Sequence, residues 1–286
     1  MEENKNKGNV PEGADTAVEA DAETEEKFGK ALKDKEIKSA GSIDVLYYVG
    51  CTASYDINVK EVGVNTINIL DALGVKFGIL GAEEKCCGSV FLRIGNREFE
   101  RLATYNIELF NSLGVKMLIT SCAGCYKTIK VDYKKMGILN MEVLHTTQFI
   151  ARLLREGKLT FPHEVPRKVT FHDPCHTGRH SNVYDDPRAV LAAIPGLEFV
   201  ELKRHREFSR CCGAGGGLKA GFGDIQNLMA QERVRDAEKT GAENLVSICP
   251  FCYQGLQIGI NATNSKIKMT DLSELVALAM GVEVTS

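Results

Sequence analysis

Two open α/β domains, related by a pseudo-twofold axis and produced by tandem duplication, are the fold class that the sequence predicts, each gathering cysteines at the carboxyl ends of its strands. Three observations lead there. The ten cysteines fall into two sets of five in the same order: Cys51, Cys86, Cys87, Cys122 and Cys125, then Cys175, Cys211, Cys212, Cys249 and Cys252. Matching members are 124 to 127 positions apart, as a duplicated half-chain would leave them. Short β-rich runs alternate with helical patterns, and most of the cysteines stand where an apolar run stops.

The elements follow in order. Residues 1–40 are polar and charged, a tail expected to be disordered, in which residues 23–38 can form a transient solvated helix. The first domain is expected over residues 41–156. Residues 43–49 read as a buried strand delivering Cys51, and residues 58–73 as a helix stopped by Gly74. Residues 76–80 give the next strand, whose loop carries Cys86 and Cys87. Phe91 reads as cover or core, and Arg93 as a candidate for holding an anionic ligand. A helix over 98–113 and a strand over 115–119 lead to Cys122. A helix opening at Ala123 would put Cys122 and Cys125 one turn apart, with unsatisfied amides near their sulfurs. Residues 141–144 and 145–154 supply a strand and a helix, with His145 expected as a structural hydrogen-bonder.

Residues 157–168 read as a polar, proline-bearing linker, and residues 169–286 as the second domain. A strand at 169–171 runs into His172-Asp173-Pro174-Cys175-His176-Thr177-Gly178-Arg179. A proline-started helix is expected at 187–194 and a strand at 196–202. The charged stretch from Glu201 to Glu207 reads as a wet face, with Arg210 placed to raise a centre's potential. A long helix over 218–239 and a strand over 242–248 precede Cys249, Pro250 suits a first helical position, and residues 272–280 form the last helix.

The cysteine pattern points to metal chemistry. Neighbouring cysteines do not readily form a disulfide with each other, but both can face one metal centre. Soft thiolates in this number select iron–sulfur clusters, zinc or copper(I), and five cysteines exceed the four that tetrahedral zinc needs. Zinc stays an alternative for the first site. A disulfide scaffold is disfavoured in a chain of 286 residues with 44% hydrophobic content and no secretory pattern. The glycines of Cys211-Cys212-Gly213-Ala214-Gly215-Gly216-Gly217 let backbone approach a bulky group. Beside a ligand, His176 can give a proton to a leaving thiolate, bond a sulfide or tune the centre. Arg179 can hold a carboxylate or phosphate, or pair with Asp173 or Asp186.

A net charge of −3 without a basic stripe argues against a nucleic-acid surface. No apolar run reaches the roughly 20 residues that span a bilayer, so direct membrane insertion is not expected. A cytoplasmic location follows, or one at the inner membrane face through a membrane-bound partner.

These motifs, over residues 43–282, resemble the cysteine-rich, double-CCG family. It holds the catalytic components of heterodisulfide reductases, either a whole subunit or the C-terminal part of one. Related subunits serve glycolate and lactate oxidases, anaerobic glycerol-3-phosphate dehydrogenase and thiol-driven fumarate reductase. The resemblance implies a noncubane [4Fe-4S] cluster on each cysteine set. It also implies a small disulfide substrate, such as that of coenzyme M with coenzyme B, and makes His176 similar to a proton-relay histidine. The chain has neither a closely spaced cysteine run for cubane clusters nor a dinucleotide fingerprint, so electrons are expected from an iron–sulfur or flavin subunit. A relay subunit between a flavin dehydrogenase and a quinone or membrane partner is the alternative.

Overall fold

The computed structural model describes residues 33–37 and 42–284. Strands β1 (Val45–Tyr48), β2 (Phe77–Gly78), β3 (Met117–Thr120) and β4 (Glu142–His145) form one parallel sheet in the order β2-β1-β3-β4. Strands β5 (Lys168–Phe171), β6 (Glu198–Phe199), β7 (Asn244–Ser247) and β8 (Lys268–Asp271) form a second in the order β6-β5-β7-β8. The two orders are identical once four is subtracted from the second, so the repeat read from the cysteines is a repeat of topology.

Helices α1 (Cys51–Tyr55), α2 (Lys60–Ala72), α3 (Ser89–Arg93), α4 (Glu98–Ser112), α5 (Ala123–Lys127) and α6 (Thr146–Arg155) belong to the first half. Helices α7 (Asp185–Ala193), α8 (Leu218–Gly221), α9 (Gly223–Glu238), α10 (Pro250–Thr263) and α11 (Leu272–Met280) belong to the second. Parallel strands need helical crossovers that cover both faces, which is why β1, β3, β5 and β7 are short, buried and rich in Val, Leu, Ile and Phe. The halves meet through two related helix pairs, α2 on α11 and α6 on α7. There Ile69, Ile150, Val190 and Leu275 share one apolar cluster. Leu159, Phe161 and Val165, from the connecting stretch, are buried in the same cluster. Among the described residues no helix is long and apolar enough to cross a membrane.

Several expectations shift. The tail lies mostly outside the described residues, but Glu36 bridges Ile79 in parallel and Lys35 pairs with Asp71 at 2.5 Å, so 33–37 lie along the first sheet's edge. The helix expected over 218–239 breaks at Phe222, whose φ of −144° leaves the helical region between Gly221 and Gly223, the residue type that pays most to stay helical. The helix expected to start at Pro187 starts at Asp185, because acidic residues suit a helix's first turn and proline is tolerated there. The strand expected over 196–202 is reduced to two residues on the sheet edge. Strand β8 was not anticipated: only Met269 among its four residues is plainly apolar.

His145 is a structural residue, as its position after an apolar strand implied. Its Nδ1 accepts from the Thr147 amide at 3.2 Å, and its own amide donates to Gln148 Oε1 at 3.2 Å, a reciprocal cap on α6. Asp271 caps α11 at the related position, accepting from the Ser273 amide at 2.9 Å. Burial pushes His145 down to about 4, so the ring is neutral and its acceptor available. Between that value and about 6.5 the unfolded chain holds more protons than the folded one. The contribution is therefore complete above about 6.5 and is lost as pH falls through about 4. The denaturation midpoint should drop across that window, and His145→Asn, which keeps a capping acceptor but does not titrate, should flatten the slope.

Candidate metal centre

Four of the cysteine-bearing loops leave the carboxyl ends of central strands: Cys51 after β1, Cys122 after β3, Cys175 after β5 and Cys249 after β7. Edge strands β2 and β6 feed the loops with the Cys-Cys-Gly segments. All ten cysteines line one cavity of about 260 Å³, together with Arg93, His176, Gly215, Gly216, Val90 and Phe251. The two sets come within 4.0 Å of each other at Cys122 Sγ and Cys249 Sγ. All ten are free thiols, six buried, three half-buried and only Cys51 exposed, so no disulfide scaffold exists.

Each Cys-Cys-Gly turn is built the same way. Gly88 has φ of 79° and Gly213 of 76°, both left-handed; a Cβ on Gly88 would lie 2.9 Å from the Phe99 ring, and one on Gly213 3.2 Å from Gln226. In that conformation the Gly88 amide donates to Cys86 Sγ at 3.4 Å, and the Gly213 amide to Cys211 Sγ at 3.3 Å. Helices α4 and α9 clamp the turns from behind. Asn106 Nδ2 donates to the Cys86 carbonyl at 3.1 Å, and Gln226 Nε2 to the Cys212 carbonyl at 3.3 Å. In the first half Tyr133 Oη donates to the Cys87 carbonyl at 3.0 Å, and Glu84 accepts from the Val49 and Gly50 amides at 3.0 and 2.7 Å. Both C-x-x-C segments open helices, with Cys122 and Cys249 at the N-cap and Pro250 at the first turn.

The loop before Cys175 is held by ions. Arg188 bonds both carboxylate oxygens of Asp173, at 2.8 and 3.0 Å, and both of Glu201, at 2.5 and 3.1 Å. Burial alone would raise the Asp173 carboxyl, but this guanidinium overrides it and holds the group below its usual range. Glu201 is thus part of the loop's support and not of a wet face. Arg179 does not pair with Asp173 or Asp186, since Arg188 takes the first and Arg155 the second, at 2.8 Å. It is exposed, lies outside the cavity lining, and donates to the carbonyls of Glu207 and Ser209 at 3.3 and 2.5 Å. Arg210 spends its charge on Glu232 at 2.6 Å, which weakens any pull on a neighbouring centre. Phe91 packs at the margin of the core, as cover.

His176 reaches from the second half to the first, where a Cβ on Gly124 would lie 3.5 Å from its Nδ1. Burial, then the Arg93 charge, push it down to about 4, so the ring is neutral. Arg93 stands in the same cavity wall and shares Asp132 with Lys127, at 3.0 and 2.6 Å. That group carries one net positive charge.

The donor set fits a soft metal centre in each half. Cys212 and Cys252 sulfurs lie 3.3 Å apart, and mutual proximity with burial drives the Cys122, Cys125 and Cys252 thiols well above their ordinary value. Sulfurs this close cannot all ionise in a buried cavity without cationic charge among them. Two residues with no role in the sequence reading stand behind the second set. His172 and Arg233 are both wholly buried, with a His172 ring nitrogen and the sulfurs of Cys212 and Cys252 within 4.8 Å of one another. Setting one half's sequence against the other would have marked them, because Tyr48 and Asn106 occupy the related places.

Comparison with known proteins accords with this geometry. The chain is 42% identical over 256 residues to a subunit of the dihydromethanophenazine:CoB--CoM heterodisulfide reductase of Methanosarcina barkeri, covering 87% of this chain and 62% of that one. It is 37% identical over 247 residues to the EtfAB:quinone oxidoreductase of Syntrophomonas wolfei, covering 83% of this chain and 34% of the other. The chain thus spans less than two thirds of the length of these relatives. Among solved structures, a hypothetical protein from Helicobacter pylori shares the fold, with a TM-score of 0.63 at 12% identity over 93% of this chain and 56% of its own. The cysteine-rich domain known as CCG matches twice, over residues 45–130 and 169–257. The two matched segments are the two halves that surround the cavity, and the chain belongs to the CCG cysteine-rich family.

Proposed function

We propose that the chain is the iron–sulfur catalytic subunit of a heterodisulfide-reductase-like complex. In it a disulfide, two electrons and two protons become two thiols, the electrons coming from an iron–sulfur or flavin subunit and the complex being held to a membrane, where it is so held, by another partner. The observation that carries the reading is that both complete cysteine sets line a single cavity. Cys51, Cys86, Cys87, Cys122 and Cys125 would hold one [4Fe-4S] cluster of noncubane form, and Cys175, Cys211, Cys212, Cys249 and Cys252 the other. Such centres pass electrons singly, so two of them beside one cavity match the two-electron demand of a disulfide.

The chain's own residues supply the rest. Val90, Phe251 and the Gly215-Gly216 backbone complete the lining of the cavity beside the cysteines. The net positive group of Arg93, Lys127 and Asp132 suits the acidic tail of a small thiol. His176, neutral and at the junction of the halves, can give its one N–H proton to a departing thiolate and take another on the opposite nitrogen. Arg179 works at a distance by holding the backbone ahead of Cys211. The likeness to a heterodisulfide reductase chain supports disulfide chemistry. The likeness to an EtfAB:quinone oxidoreductase favours the second reading, a relay between a flavin dehydrogenase and a quinone or membrane partner.

The two readings separate on a thiol. Protein purified anaerobically should contain about eight iron and eight sulfide per chain. Its oxidised paramagnetic spectrum should change when a candidate thiol is added; a spectrum indifferent to every thiol supports the relay, and zinc in place of iron at both sites overturns both readings. His176→Gln should keep its iron and lose about 10²-fold or more in disulfide turnover with an artificial electron donor.

A further inference from the structure

His172 has its two ring nitrogens in opposite situations. Nδ1 lies 3.1 Å from Nε of Arg233, while Nε2 is buried with no hydrogen-bond partner. Arginine nitrogens only donate, so Nδ1 is the acceptor and the single proton of the neutral ring sits on Nε2. A buried N–H with no acceptor costs free energy, and a ring nitrogen of His172 and the sulfurs of Cys212 and Cys252 lie within 4.8 Å of one another. The same logic excludes His172 as a metal ligand, because neither nitrogen offers a lone pair to a metal. Arg233 is locked in turn, donating also to the Arg204 carbonyl at 2.7 Å and to Ser209 Oγ at 2.9 Å, with no carboxylate bonded to it among the described residues.

The first half has neither feature. Tyr48, which precedes Cys51 by the same three positions as His172 precedes Cys175, gives its hydroxyl to the Lys85 carbonyl at 2.7 Å. Asn106, at the offset of 127 that relates Cys122 to Cys249, is uncharged and bonds backbone and Tyr133. The two cysteine sets are alike, and their surroundings are not.

We propose that His172, oriented by the buried charge of Arg233, gives its unpartnered Nε2–H to a sulfur of the cluster that the second cysteine set would hold and so raises the reduction potential of the second centre above that of the first. A hydrogen bond to sulfur and a nearby cation both favour the more negative, reduced state. The second centre is then where an incoming electron rests. The inference builds on the reading that both sets hold iron–sulfur clusters.

The test is an electron-paramagnetic redox titration of the anaerobically purified protein. In His172→Phe the second centre's reduction equilibrium should fall about tenfold, 59 mV for one electron, with the first centre's unmoved and the iron content intact. Arg233→Gln, which keeps a donor to Nδ1 but removes the charge, should give a smaller fall in the same direction. Because the variants can be destabilised, proton and nitrogen couplings are also measured on unaltered protein labelled with ¹⁵N-histidine. An exchangeable proton coupled to one centre, with only weak nitrogen coupling, is expected. Loss of iron from the second set in His172→Phe, or strong nitrogen coupling in the unaltered protein, would make His172 a ligand and overturn the proposal. Unmoved potentials with iron present overturn it alone, whereas unaltered protein without iron removes the cluster reading and this inference with it.

Discussion

Ten sulfurs held around one cavity of about 260 Å³ are the constraint that the rest of the structure answers. Thiols at this density repel one another's ionised forms, and a low-dielectric wall adds to the penalty. The loops that carry them cannot be held in place by the sulfurs themselves. Other groups do that holding: Glu84 on the Val49 and Gly50 amides, Asn106 and Tyr133 on the first Cys-Cys-Gly turn, Gln226 on the second, and Arg188 on Asp173. The fold thereby presents a preformed set of donors, with cationic charge left for a metal centre to supply.

Duplication explains how one chain surrounds such a cavity. Each sheet throws its loops from strand carboxyl ends, and the helix pairs α2 with α11 and α6 with α7 turn the two loop sets toward each other. The copies then diverged where chemistry is concerned. His145 and Asp271 do the same capping task with different side chains. Around the first set the supporting groups are Tyr48, Tyr133, Asn106 and the carboxyl of Glu84, with no arginine among them; around the second, Gln226 is joined by the ion pair of Arg188 with Asp173 and by the buried Arg233. Two chemically alike donor sets in unlike surroundings are what a directed passage of electrons would use.

Much of this was legible in the sequence, and for physical reasons. Cysteine spacing reports topology because each ligand must leave a strand end, so Cys51, Cys122, Cys175 and Cys249 marked β1, β3, β5 and β7. Strands buried on both faces read as apolar runs, which is why these were found and the more polar β8 was not. The break at Phe222 went unseen because the flanking glycines lie within an otherwise helical pattern. Side-chain partners were least legible: Arg179 and Arg210 stand beside the motifs in sequence, yet their charges go to carbonyls and to Glu232. His172 and Arg233 are 61 residues apart, and only the folded chain brings them together.

The proposal that one cavity holds two redox centres, one from each half, is tested by pulsed electron-paramagnetic measurement of the magnetic interaction between them, in anaerobically prepared protein poised so that both are paramagnetic. Mutual spin coupling at short range, abolished when Cys249 and Cys252 are replaced together by serine, is the predicted result. Two centres that relax independently, or a single centre that survives this replacement unchanged, would contradict it.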